Sequence, residues 1–316
     1  MRKQQTLSKS AFFNGIGLHS GNPVSMAVHP APVHAGIVFV RQVGEHILSL
    51  PASIDFLGNT DHCTTLESED FRVQTVEHIL AALAGLEVDN AYVELEGQEI
   101  PAADGSAGMF VETIQQTGIV QQEAIRTHLK IIESITVGDH QRSITVSPSP
   151  LPKISYFIDF PNHPLIQHQE FVHNCTPLDF HKQVAPARTF AFRKEVEYLW
   201  SHGLGLGGSL QNTVVFSDTD LVNEDGLRFP DECVRHKVLD LIGDLTLLGI
   251  PVIGHFEAKC SGHWLHAELV KSIKNQPEKW ILFNPGPQTK SDITTVAKQQ
   301  APASFLPDLQ PAFQTL

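Results

Sequence analysis

Apolar and polar positions alternate through the first forty or so residues, with runs at Val24 to Val28 and Gly36 to Val40 that predict strands joined by tight turns. Asn14 to Pro23 is dense in glycine and predicts a loop that holds His19. The period then changes. Thr75 to Gly85 is rich in Ala and Leu and predicts a short, largely buried helix, with Thr75 as its N-cap and Gly85 as its stop. Glu77 and His78 fall in its first turn, where the helix dipole favours the carboxylate but gives no reason for the histidine. A strand at Ala91 to Leu95, a turn-rich loop at Pro101 to Ser106 and a helix from Met109 to Gln116 follow. Gly118 to Arg126 is polar and weakly patterned and predicts a break, after which strands are expected at Lys130 to Val137, Ser143 to Val146 and Ile154 to Phe160.

The clearest helical period comes late, in Arg235 to Leu248. At ~100° per residue, Val238, Leu239, Leu241, Ile242, Leu245 and Leu248 share one side, and His236, Lys237, Asp240 and Asp244 gather on the other. Gly243 interrupts this second face at a cost of ~1 kcal/mol relative to Ala, which suggests that something bulky approaches closely there. The two halves of the chain also echo one another. A buried helix with a histidine near its start runs to a glycine and then into a strand: His78, Gly85 and Ala91 to Leu95, then His236, Gly249 and Val252 to Ala258. This predicts two similar α+β units, each giving a helix to one shared site.

Composition narrows the picture. The 316 residues are enough for two domains, and 41% hydrophobic residues suit a soluble globular protein. A formal net charge of -13 argues against a nucleic-acid or anionic-membrane surface, so a phosphate would be met by a few placed cations. Cys63, Cys175, Cys233 and Cys260 are far apart and predict reduced thiols, neither a disulfide framework nor a thiolate metal site. No apolar run follows the charges at the N-terminus and no span is long enough for a transmembrane helix, so a cytoplasmic location is expected. Gly203 to Gly208 satisfies G-x-G-x-x-G, but a helix is expected before it and a strand, Leu210 to Phe216, after it, the inverse of a dinucleotide-binding context.

His236 and Asp240, four apart on a helix, can grip one metal ion from the same side. A nitrogen and a carboxylate oxygen suit zinc, whose catalytic sites commonly take three protein ligands. His78 from the first helix completes such a set, the adjacent Glu77 can accept a proton from water, and His263, after the strand that ends near Lys259, can protonate a leaving amine. These are the parts for hydrolysing an amide, yet neither His-Glu-x-x-His nor its inverted form is present. A different zinc hydrolase, acting on a peptide or a simpler acylated amino sugar, and a metal-stabilised binding protein are the competing readings.

Seven motifs in order carry a resemblance: Gly15-Ile16-Gly17-Leu18-His19-Ser20-Gly21, Thr75-Val76-Glu77-His78, Ile100-Pro101-Ala102-Ala103-Asp104-Gly105-Ser106, Ala187-Arg188-Thr189-Phe190, Asn223-Glu224-Asp225-Gly226-Leu227-Arg228-Phe229, Arg235-His236-Lys237-Val238-Leu239-Asp240-Leu241-Ile242-Gly243-Asp244 and Ser261-Gly262-His263. Through them the chain resembles, along most of its length, the zinc-dependent UDP-3-O-acyl-N-acetylglucosamine deacetylases of Gram-negative bacteria, which commit the cell to lipid A synthesis. The resemblance implies an α+β fold of two similar β-α sandwich domains packed face to face, each with a small insert and with zinc between them. The expected division is 1–124, 125–300 and a tail at 301–316. By position, His78, His236 and Asp240 would bind zinc, Glu77 would be the general base and His263 the general acid. Thr189 would polarise the acetyl carbonyl, Asp244 would orient His263, and Lys237 and His19 would meet the diphosphate. Phe190, Leu204, Leu206 and Val215 would line a passage for the acyl chain, with Asp159 and Phe160 near the nucleotide. An acylated UDP-amino-sugar substrate and a monomer are expected.

Overall fold

The structure is a computed structural model that describes residues 2–284; the expected tail at 301–316 lies outside the described residues. The first half contains strands β1 (Lys3–Leu7), β2 (Ala11–Ile16), β3 (Pro23–Pro30), β4 (Ile37–Val43), β5 (His46–Pro51), β6 (Leu66–Glu67) and β7 (Arg72–Val73). Helix α1 (Glu77–Gly85), β8 (Ala91–Glu96), α2 (Gly108–Thr117) and β9 (Ile119–Ile125) complete it. The second half begins with β10 (His128–Ile131), β11 (Ile135–Gly138), β12 (Ser143–Ser147), β13 (Lys153–Phe160) and β14 (Gln167–Asn174). The short α3 (Pro177–Asp179), β15 (Phe190–Phe192), α4 (Arg193–Ser201) and β16 (Val214–Phe216) follow. Helix α5 (Glu232–Leu245), β17 (Val252–Ile253), β18 (His255–Lys259), α6 (His263–Asn275) and β19 (Trp280–Phe283) close the described chain.

The echo between the halves is a repeat of topology. The first five-stranded sheet runs β2-β3-β8-β4-β5, with only β4 and β8 parallel, and the second runs β11-β12-β18-β13-β14, with only β13 and β18 parallel. In each, the last strand to be made slots between two hairpins. Each half also pairs its opening strand antiparallel with its closing one, β1 with β9 and β10 with β19. The helices bear on these sheets in kind: α2 packs on β2, α6 on β11 and β12, α5 on β13 and β14, and α1 lies along α5. The fold is therefore α+β, with the two halves meeting through their helices.

After Glu77 and His78, helix α1 is apolar on every side because it is covered: Ile79, Leu80 and Leu83 are 0%, 0% and 1% exposed. Each such side chain taken from water stabilises by roughly 1.5–3 kcal/mol. Two glycines set how closely the halves approach. A Cβ at Gly243 of α5 would lie 2.1 Å from the Glu77 carbonyl oxygen, so the bulky neighbour is the backbone of α1 itself. A Cβ at Gly85 would lie 2.1 Å from the Phe180 ring; Gly85 is the last residue of the helix, as expected, and it also makes room for that packing.

Other local expectations need correction. Thr75 does not cap α1, whose first residue is Glu77 after Val76; it adopts φ 59° and its hydroxyl donates to Glu99 Oε1 at 3.2 Å. Asn14 to Ile16 belongs to β2, so the glycine-rich loop begins at Gly17. Gly118 to Arg126 is no break: β9 returns to pair with β1, and its polar pattern reflects a strand whose residues are either half-buried or exposed, with none fully buried. Lys130 to Val137 is two strands in two sheets, because the chain leaves β10 at Ile131 and re-enters at Ile135. Val252 to Ala258 divides in the same way, into β17 and β18.

Candidate active site

Where α1 and α5 meet, a cavity of about 170 Å³ is lined by residues from both halves, among them Glu77, His78, Thr189, Phe190, His236, Lys237, Asp240 and His263. His236 and Asp240 stack on successive turns of α5, and His78 reaches them from the first turn of α1. Asp240 Oδ1 lies 3.3 Å from His236 Nε2 and 3.7 Å from His78 Nε2. Ligands held about 2.0–2.1 Å from a tetrahedral ion stand about 3.4 Å from one another, so these separations suit a common cation. All three side chains are buried, and Asp240 Oδ1 has no hydrogen-bond partner among the described residues. A buried carboxylate oxygen left unpartnered is costly unless a cation satisfies it.

Protonation follows burial and charge. Burial pushes His78 down to about 3, assisted by His236, and burial also lowers His236, so both rings present lone pairs. The His236 Nδ1–H donates to the Ala187 carbonyl at 3.1 Å, which leaves Nε2 free to ligate. Burial opposes ionisation of Asp240, yet Lys237, whose Nζ donates to Oδ2 at 2.7 Å, helps hold it well below the usual carboxylate range. Two neutral imidazoles and one carboxylate fit zinc or another borderline divalent ion.

A second network stands behind this set. Burial pushes the Glu77 carboxyl up to about 8 against the pull of His263. Its Oε2 accepts the Thr64 amide at 3.0 Å, and its Oε1 faces His263 Nε2 at 4.0 Å. His263 opens α6, where burial and the positive helix end both disfavour an imidazolium. Asp244 reverses that: His263 Nδ1 donates to Asp244 Oδ2 at 2.8 Å, and the ring is pushed up to about 9. Asp244 itself is held down to about 2, its burial outweighed by His263 and His266. Asp244, His263 and His266 also cluster as metal ligands would, but both Nδ1 atoms lie 2.8 Å from Oδ2, a hydrogen-bond contact that leaves no room for an ion.

Of the remaining expected residues, Thr189 and Phe190 line the cavity, whereas His19, Leu204, Leu206, Val215, Asp159 and Phe160 are not among its lining residues. Thr189 is pinned by its backbone between Gly105 O and Val214 N, each at 2.8 Å, and its hydroxyl makes no hydrogen bond among the described residues. His19 is buried, with both ring nitrogens unpartnered and its amide donating to Glu99 Oε1 at 2.7 Å. The Leu206 amide donates to His19 O at 3.2 Å, which joins the 203–208 loop to the 17–21 loop of the other half. Phe190 and Val215 sit on the paired strands β15 and β16, and the Phe160 ring meets Phe190 edge-on at 6.1 Å. Leu204 is half-buried and Leu206 is 55% exposed, while Asp159 is exposed and accepts His168 Nδ1 at 2.8 Å.

Leu18, His62 and Thr75 also line the cavity; the sequence marked Thr75 only as a helix cap and gave none of the three a place in the site. Leu18 precedes His19 in a quoted motif and could have been found there. His62 follows turn residues, Asn59 to Asp61, which mark a loop without saying where it goes. Thr64 has no local signal at all; its hydroxyl donates to Asp244 Oδ1 at 2.5 Å across 180 positions of sequence.

The family described as UDP-3-O-acyl N-acetylglycosamine deacetylase matches residues 4–275. The chain is 46% identical over 274 residues to the UDP-3-O-acyl-N-acetylglucosamine deacetylase of Myxococcus xanthus (strain DK1622), covering 87% of each protein. It is 44% identical over 282 residues to the protein of that name from Pseudomonas entomophila (strain L48), covering 89% of this chain and 93% of the relative. With that of Hahella chejuensis (strain KCTC 2396) it shares 44% identity over 308 residues, covering 97% and 98%.

Proposed function

The chain belongs to the UDP-3-O-acyl N-acetylglycosamine deacetylase family, and from that we propose that it hydrolyses the N-acetyl group of UDP-3-O-acyl-N-acetylglucosamine, using zinc held by His78, His236 and Asp240. The products are acetate and UDP-3-O-acyl-glucosamine, the committed step of lipid A biosynthesis. The observation that carries this reading is the opposition of Glu77 and His263, 4.0 Å apart, from different halves of the protein and beside three ligand-type side chains. A base and an acid on either side of one cavity are what amide cleavage needs.

Held by His78, His236 and Asp240, zinc would supply Lewis-acid polarisation of the acetyl oxygen and of water. The protein's own groups do the rest. Glu77 accepts a proton as water oxygen bonds to the acetyl carbon, and the Thr189 hydroxyl donates to the developing oxyanion. His263 gives its Nε2 proton to the sugar nitrogen as the carbon–nitrogen bond breaks, so the amine leaves neutral with acetic acid, which loses its proton to solvent as acetate, while the proton on Glu77 returns to His263 or to solvent. Lys237 and His19 meet the diphosphate. Phe190, Leu204, Leu206 and Val215 border the acyl passage, supported by the aromatic run in which Phe192 lies 5.3 Å from Phe160 and 6.2 Å from Phe216. Asp159 and Phe160 lie toward the nucleotide.

Acetate release should be measured on the acylated UDP-sugar, on UDP-N-acetylglucosamine and on an N-acetylated peptide. The acylated sugar should be preferred by at least 10²-fold in kcat/KM, because remote binding energy is spent at the reacting centre. Equal rates on all three would favour a general amidohydrolase and remove the acyl passage.

A further inference from the structure

Asp244 serves two imidazoles, and the mechanism above uses only one. His266 lies one turn beyond His263 on α6, is 0% exposed, and places Nδ1 2.8 Å from the same Asp244 Oδ2 that His263 Nδ1 approaches at 2.8 Å. The two rings stand edge to face with centroids 6.0 Å apart. The far side of His266 is also engaged: Nε2 lies 3.1 Å from Ser261 Oγ and 3.2 Å from Tyr156 Oη. The Ser261 hydroxyl donates to Tyr156 Oη at 2.8 Å and the Tyr156 hydroxyl donates to the Ser261 carbonyl at 2.8 Å, while the Asp244 carboxylate, which only accepts, sets the ring proton on Nδ1. This arrangement fixes a tautomer. His266 donates from Nδ1, and burial keeps it neutral, with Nε2 unprotonated beside the two hydroxyls and the charged His263 nearby.

We infer that His266 is a positioning residue for the general acid: its Nδ1–H, backed by Ser261 and Tyr156, holds the Asp244 carboxylate in the one orientation that aims His263 Nε2 at the reacting nitrogen. The Thr64 hydroxyl fixes Oδ1, and His266 and His263 together fix Oδ2, so the carboxylate cannot turn without losing a buried hydrogen bond. The chain from β13 through Tyr156, His266 and Asp244 to His263 thereby ties the acid to the second sheet. This rests on the assignment of His263 as acid in the proposed deacetylation.

Three substitutions separate the roles. His266→Asn keeps an N–H donor near the Nδ1 position, His266→Gln moves its amide toward the Nε2 end, and His266→Leu removes both. His266→Leu and His266→Gln should lower kcat roughly 10-fold with KM nearly unchanged, the scale of losing a hydrogen bond that orients an active group, and His266→Asn should restore most of it. Proton–nitrogen NMR of histidine-labelled protein, before any substrate is added, should show two far-downfield Nδ1–H resonances. The His263 resonance should keep its position in His266→Asn and shift in His266→Gln. An unmoved His263 resonance with unchanged kcat in His266→Gln would overturn the inference, as would equal damage in the Asn and Gln variants. If the unmodified protein releases no acetate, the deacetylase assignment fails instead, while the NMR still reads whether His266 and His263 share Asp244.

Discussion

Gly243 on α5 lies against the backbone of Glu77 on α1 so closely that a Cβ would come within 2.1 Å of the Glu77 carbonyl oxygen. The contact fixes the spacing between the helix that carries Glu77 and His78 and the helix that carries His236, Asp240 and Asp244. Backbone cannot swing aside as a side chain can. Gly243→Ala should therefore force the helices apart, at a cost of about 1–3 kcal/mol in denaturant unfolding. It should also lower kcat by roughly 10²-fold, the scale of an approximately 1 Å misplacement of a catalytic group. Native stability and turnover in that variant would show that the helices can separate without harm.

Glu77 is placed to act as a base without being a ligand, since its oxygens face the Thr64 amide and His263. Glu77→Gln should keep its metal content and lose turnover by roughly 10²-fold or more. Metal analysis and acetate release on the same preparation make the check; metal lost together with activity would place Glu77 in the ligand set.

The pH profile should report His263 and Glu77. His263 is pushed up to about 9, so the acid form prevails below that pH and the rate should fall as pH rises through it. Glu77 must be ionised, so the rate should climb as pH rises through its pKa, which burial raises to about 8 and which a nearby dication would draw lower. Asp244→Asn removes the charge that raises His263 and should move the alkaline limb to lower pH with metal still bound. An unmoved limb would remove His263 from the role of acid.

Much of the clustered trio His78, His236 and Asp240 was legible because it obeys local rules. His236 and Asp240 are joined by helical spacing, and His78 stands out as a polar residue in an otherwise apolar helix. The same spacing rule puts His266 on the face of His263. Thr64 was hidden for a physical reason: it reaches Asp244 only after two halves have folded and met. The repeat was visible as a faint pattern of histidine, glycine and strand, but the strand order that proves it depends on long-range pairing. Thr75 misled because a residue that usually caps a helix is here held at φ 59° by packing and by Glu99.

The central claim is that the buried trio His78, His236 and Asp240 holds a zinc ion on which deacetylation depends. The most direct measurement strips the protein with a chelator, titrates zinc back, and follows bound metal and acetate release from UDP-3-O-acyl-N-acetylglucosamine together. Activity should vanish on stripping and return in proportion to the first zinc bound per chain, and His78→Ala should neither hold that ion nor recover. Full turnover by the metal-free protein, or normal zinc content and turnover in His78→Ala, would contradict the account.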